Sequence, residues 1–377
     1  MLRRSALVVV VVLTAVQFWA AMPASAAVRP FGPPQTLVGG CDAESADSVT
    51  TASGNIAGFA ACRTASGLAI RFFSRTAAGS VHPSEATGFR GRVLGVANDG
   101  TASYVLFFTG TQIRIGKRTN TGVYSSRAIT NWSGVATPTG DVIATAGRWF
   151  AVWSAQIGPG GEFAQTELFS AGSSQGVRRV TTTAGNLDDD SPTLAYNGNL
   201  DPVLVWTRTV SPAQPGPSDL MVKKRVDGVW EPDRVLASLG RDNGSPDMTI
   251  LGAHTFVTWR RDGAIIVASK AGGPSTNFTT HRFVTPGFGP KVGATGSGVV
   301  GHIPFVIDHV FVTWTTSAEG GNRVFFAESA TTGNVRGTWD GTLIAPTGTT
   351  AFGIGALDTK ATAIYGTGTS MASRSQT

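Results

Sequence analysis

A short apolar run that ends in an aromatic residue recurs along this chain, and that recurrence limits the folds open to it more than any other feature. The most complete copy lies between Ser191 and Trp230. There, residues 192–196 read as a short apolar strand, Asn197-Gly198 as a hairpin signal, and residues 202–206 as an unbroken apolar run ending in Trp206. Residues 220–225 supply a third strand, Asp227-Gly228 a second tight turn, and Trp230 opens a more polar fourth strand ending near Leu239. A run without alternation is buried on both faces, so residues 202–206 belong inside a four-stranded antiparallel meander that is covered on both sides.

The same run returns at residues 149–153, 256–259 and 310–314, with weaker relatives at 59–62, 105–108 and 361–365. Its last residues are Cys62, Phe108, Trp153, Trp206, Trp259, Trp314 and Tyr365. They stand 46, 45, 53, 53, 55 and 51 residues apart, the period of a propeller blade. Radial stacking of seven sheets buries both faces of so many second strands, so the expected fold is an all-β, seven-bladed β-propeller of four-stranded antiparallel blades.

Residues 1–26 carry Arg3 and Arg4, an apolar core and an Ala24-Ser25-Ala26 cleavage site, and read as a signal peptide, so the chain is expected to be secreted and extracellular. The valine-rich leader and the Ala/Gly content suggest a bacterial exporter. Removing 26 of 377 residues leaves 351, about 50 for each of seven units, so residues 27–377 are expected to form a single domain. With 48 glycines and only 14% charged residues, the composition is that of short strands and tight turns. The net charge of +6 falls to +4 without Arg3 and Arg4 and is spread over a large surface, which argues against a nucleic-acid partner. No membrane association is expected after cleavage, and the protein is expected to be a monomer.

The last unit is one strand short, since only residues 366–377 follow Tyr365. Residues 31–37 (FGPPQTL) resemble 230–236 (WEPDRVL), the fourth strand of the complete copy, so the mature N-terminus is expected to complete the last blade and close the ring. Cys41 stands just before the first strand of unit one and Cys62 at the end of its second. The two are neighbours in such a hairpin, and a disulfide is expected between them.

The strand from Pro192 to Tyr196, its Asn-Gly turn and the Val-Leu-Val-Trp ending at Trp206 resemble secreted sialidase-like β-propellers with BNR repeats. Arg225-Val226-Asp227-Gly228-Val229-Trp230 looks like a degenerate Asp-box of that family, with Gly337-Thr338-Trp339 and Gly122-Val123-Tyr124 as fainter echoes. The resemblance implies a propeller and, in active members, an arginine triad, a Tyr nucleophile with a Glu partner, and an acidic acid/base residue. This chain lacks the Arg-Ile-Pro motif, and its tyrosines, Tyr104, Tyr124, Tyr196 and Tyr365, fall within or beside predicted strands, so the resemblance extends to architecture rather than chemistry.

Other motifs read as structure. Gly172-Ser173-Ser174-Gln175-Gly176 fits G-x-S-x-G, but strands flank it where a nucleophile elbow needs a following helix, so it reads as a hairpin turn. The five histidines have no ligand spacing, no metal site is expected, and no cofactor is implied. Asp188-Asp189-Asp190 and Arg241-Asp242 read as loops preceding the first strands of units four and five. Long connections after second strands gather Asp188, Asp189, Asp190, Arg208, Arg241, Asp242, Arg260, Arg261, Asp262, Glu162 and Glu319 on one rim, the expected ligand-binding face. The expected role is binding of an extracellular glycan or cell-surface protein. The alternatives are a sialidase-like glycoside hydrolase or lyase working through paired carboxylates, and a structural scaffold.

Overall fold

Seven times over, the recurring run folds into the second strand of an antiparallel sheet. The structure, a computed structural model, describes residues 30–377 apart from 52, 133, 135, 158–164, 183–186, 198, 211–217, 238–241, 272–277, 298–305, 319–320, 330–334, 336–338, 346 and 358–359. The segment read as a signal peptide lies outside the described residues.

Blade 1 is built from Ala43–Thr50, Ile56–Thr64, Gly67–Arg75 and Val81–Arg90, and blade 2 from Arg92–Asn98, Ala102–Phe108, Gln112–Thr119 and Tyr124–Asn131. Blade 3 uses Gly140–Thr145, Arg148–Ile157, Gln165–Gly172 and Gln175–Arg179. In blade 4, Leu187–Tyr196, Pro202–Val210 and Ser218–Val226 are followed by a fourth strand broken into Val229–Trp230 and Arg234–Ala237. Pro232, which has no N–H to donate to the ladder, sits in the break. Blade 5 comprises Asn243–Leu251, His254–Arg261, Ala264–Ala271 and Thr279–Pro286, and blade 6 Phe288–Ser297, Val306–Ala318, Gly321–Ser329 and Asp340–Ala345. Blade 7 has Thr350–Leu357, Lys360–Gly366 and Ser370–Ser375 from the end of the chain, and its outer strand is Gln35–Gly39, paired with Ser370–Ser375. The two ends of the chain therefore meet in one sheet, as expected.

Each face between neighbouring blades holds its own apolar cluster. Trp153 anchors the cluster between blades 2 and 3, Trp206 that between 3 and 4, Trp259 that between 4 and 5, and Trp314 that between 5 and 6. All four indoles are at most 2% exposed. Deleting a buried aromatic of this size costs about 3–5 kcal/mol, so these positions hold the ring together. The closing face, between blades 7 and 1, contains Leu37, Val38, Ile364 and the Cys41–Cys62 disulfide, whose half-cystines are 21 residues apart. On the chain-entropy account such a loop contributes ~3 kcal/mol.

The innermost strand of each blade pairs on one side only, and its free edge faces the axis. The ring therefore has two rims. One carries the tight turns from inner to second strands, such as Asn197 to Asp201, where the Leu200 N–H donates to Asn197 O at 2.9 Å. The other is the rim at which inner strands begin and second strands run into third strands. Ser173-Ser174 forms a hairpin turn between Gln165–Gly172 and Gln175–Arg179, as read from the sequence.

Candidate functional site

The three consecutive aspartates of blade 4 lie within the inner strand Leu187–Tyr196 rather than in a loop before it. The ladder slips between Asp190 and Thr193, with Ser191 at φ 52°, which is why the apolar pattern from Pro192 onward understated the strand. Each carboxylate has a different partner. Asp188 Oδ1 accepts from the Thr166 N–H at 2.7 Å, while Asp190 Oδ1 accepts from the Thr139 hydroxyl and the Ser191 N–H. Asp189 is 0% exposed and takes three donors: Trp206 Nε1 at 2.8 Å, Arg208 Nε at 2.7 Å and Arg208 Nη2 at 3.0 Å. Arg208 continues to Asp233 at 2.6 Å, and Asp233 accepts from the buried Lys223 ammonium at 2.8 Å. Burial would raise the Asp233 carboxyl, but the Lys223 and Arg208 hydrogen bonds prevail and hold it below its usual range.

Blade 5 repeats this arrangement with an amide. Asn243 Oδ1 accepts from Trp259 Nε1 at 3.0 Å and from Arg261 Nε at 3.1 Å. Asp242 is exposed and pairs with Arg260 at 2.6 Å, and Asp262, at φ 49°, begins the two-residue turn Asp262-Gly263 while accepting from the Asp242 N–H. The structure thus joins Asp189 to Arg208 and Asp242 to Arg260 on adjacent blades. Glu162, Arg241 and Glu319 lie outside the described residues.

Charge also collects where the sequence reading had placed none, on the axis. Facing positions of the seven inner strands are Asp47, Gly95, Asp141, Thr193, Asp247, Lys291 and Gly353. The three aspartates cap the free edge of the following blade: Asp47 Oδ2 accepts from the Val96 N–H at 3.0 Å, Asp141 Oδ2 from Leu194 at 2.7 Å, and Asp247 Oδ2 from Val292 at 2.8 Å. This gives a partner to N–H groups that no ladder serves. The Lys291 ammonium lies 3.2 Å from Asp247 Oδ1 and 3.8 Å from Asp47 Oδ1. Burial alone would lower the Lys291 pKa, but Asp247, Asp47 and Asp141 more than offset it and keep the group charged. Burial raises Asp47, opposed by Lys291, and burial together with the Asp47 charge pushes Asp141 up to about 8.

A cavity of about 500 Å³ runs from this charged floor to the ends of the inner strands at the tight-turn rim, its wall including Thr50, Asn98, Tyr196 and Thr249. All seven blades contribute to it. Sequence spacing held a usable signal, because Asp141 and Asp247 each stand 12 residues before their blade's tryptophan, Trp153 and Trp259.

No protein-family model matches the chain, and no curated protein sequence matches it. Solved structures match in shape. The subtype N11 neuraminidase-like protein of flat-faced bat H18N11 aligns with a TM-score of 0.52 at 12% identity, over 81% of this chain and 91% of that one. An α-L-arabinanase of Penicillium chrysogenum, complexed with arabinobiose, gives 0.51 at 9% identity over 92% and 98%. A Hadza microbial sialidase gives 0.49 at 13% identity over 88% and 64%. At these identities the likeness is one of fold alone, that of a β-propeller.

Proposed function

We propose that this chain is a secreted binding propeller that receives the polar end of an extracellular glycan in its axial cavity. The reading rests on that cavity: about 500 Å³ lies within the range of small-ligand pockets, and its floor combines acceptors, an ammonium and a carboxyl that keeps its proton near neutrality. Such a set suits hydroxyl groups, which donate and accept together. The disulfide is compatible with export to an oxidising compartment.

Two other readings have specific support. The raised Asp141 carboxyl beside Asp47 is the pairing a glycoside hydrolase requires, and the exposed Asp242–Arg260 pair with Arg261 and Asp262 offers a charged patch on the opposite rim for a glycan or a cell-surface protein. A glycan array followed by calorimetry on the hits separates the three. Thr249→Trp, which fills the cavity wall, should abolish binding, while Asp242→Ala with Arg260→Ala should leave it intact. The reverse pattern moves the site to the other rim, and release of reducing sugar from a bound glycan makes the protein an enzyme.

A further inference from the structure

Of the two cationic side chains that the fold buries to less than a tenth of their surface among the described residues, one has a counter-ion and one does not. Lys223 has Asp233. Arg75, 9% exposed at the end of the third strand of blade 1, donates only to neutral oxygens: Nε to Gln35 Oε1 at 2.9 Å and Nη1 to Thr362 Oγ1 at 3.2 Å. An isolated buried charge is costly, and a guanidinium is ordinarily buried with a carboxylate or phosphate.

Arg75 lines a second cavity, of about 340 Å³, between blades 1 and 7 at the tight-turn rim. Its Nη2 lies beside Gly79, where a Cβ would come to 3.2 Å, so a larger residue at that position would crowd the guanidinium. Lys360 stands exposed on the same wall, which also includes Ser375 and Ala356, the last shared with the axial cavity. Two cations therefore face one space that no carboxylate of the described residues enters.

We propose that this cavity is a carboxylate-binding site, in which Arg75 takes a ligand carboxylate and Lys360 adds charge at the mouth; the planar guanidinium fork matches carboxylate geometry. A uronic acid fits the class. Because Arg75 already holds Gln35 of the outer strand of blade 7 and Thr362 of its second strand, an anion bound there adds to the closure of the ring.

Calorimetry and thermal melting with sodium glucuronate, against glucose at matched ionic strength, test it. Glucuronate should bind saturably and raise the Tm in a concentration-dependent way while glucose does neither. Arg75→Gln should weaken glucuronate binding at least tenfold and Lys360→Gln severalfold, whereas Thr249→Trp in the axial cavity should leave it unchanged. Equal behaviour of glucuronate and glucose on the wild-type protein overturns the site, as does a folded Arg75→Gln that binds like wild type. If Arg75→Gln does not fold, the wild-type comparison and the exposed Lys360→Gln decide.

Discussion

Replacing Arg208 by alanine separates a buried ion pair from an exposed one within the same rim. Asp189 has no exposed surface, and of its three donors two belong to Arg208. Removing the guanidinium leaves a buried carboxylate with Trp206 Nε1 alone and takes one of two cations from Asp233. Losing one partner of a buried pair costs about 3–5 kcal/mol, mostly because the stranded charge is uncompensated. Arg260→Ala is the control: its partner Asp242 is 58% exposed, and pairs of that kind contribute at most about 1 kcal/mol. Asp189→Asn gives a third point. Blade 5 already operates with Asn243 accepting from Trp259 and Arg261 through Oδ1 alone, so an amide at Asp189 keeps the Trp206 Nε1 and Arg208 Nε hydrogen bonds, gives up only the one from Arg208 Nη2, and should cost less than Arg208→Ala does. Urea denaturation at pH 7 reads all three. A loss below about 1 kcal/mol for Arg208→Ala, or one equal to that of Arg260→Ala, would mean that burial of Asp189 is not what makes the pair matter.

The axial ring makes two further predictions. The Asp141 carboxyl, raised by burial and by Asp47 from 3.8 to about 8, holds in the folded state a proton that the unfolded chain releases, so stability falls as pH rises through that interval. Asp141→Asn should remove from the pH profile of unfolding free energy, measured by urea denaturation between pH 4 and 8, a downward contribution that for one proton is at most about 1.4 kcal/mol per pH unit, and an unchanged slope places the titration elsewhere. Gly95→Ala would put a Cβ 2.7 Å from the Asp141 Cα and 3.0 Å from the Val142 nitrogen, both backbone atoms of the next blade. A loss of about 1–3 kcal/mol by urea denaturation is expected, against little change for Gly176→Ala, where nothing lies within 4 Å; equal effects would refute a steric role for Gly95.

The architecture was legible because burial on both faces leaves a mark on single strands, and the tryptophans repeat that mark at blade spacing. Even the closure could be read, since residues 31–37 imitate the fourth strand of blade 4. In blade 2 the phase slips by one: Gly95 pairs with Leu106, which puts Phe107, 1% exposed, in the place of the tryptophans instead of Phe108. The rim charges were harder to read because exposure was judged from residue type. Asp189 is acidic and preceded by polar residues, yet a ladder irregularity after Asp190 draws it into the strand and its partners lie 17 and 19 positions away. The axial charges were not seen at all. Asp47, Asp141, Asp247 and Lys291 lie in four different inner strands, far apart in sequence, and only the closed ring brings them together.

An odd number of blades bears on what that ring can do. Asp47, Asp141 and Asp247 staple blade 1 to 2, 3 to 4 and 5 to 6, each through the backbone of the following inner strand. Seven blades leave one outside this pairing, and blade 7 carries Gly353 at the ring position, so it contributes no side chain there. It is tied to blade 1 by other means, among them the Ala356 N–H donating to Thr50 Oγ1 at 3.2 Å and the strand contributed by the N-terminal part of the chain. With no side chain interposed from blade 7, Lys291 of blade 6 comes within 3.8 Å of the carboxylate of blade 1 while still paired to Asp247 of blade 5. The charge distribution on the axis is therefore unequal, with one ammonium, from blade 6, among the carboxyls of blades 1, 3 and 5. A fully symmetric ring would present the same group seven times and favour no orientation of a ligand, whereas this one offers an ammonium and a protonated carboxyl from different blades, which is what a site needs in order to hold an asymmetric ligand in a single pose.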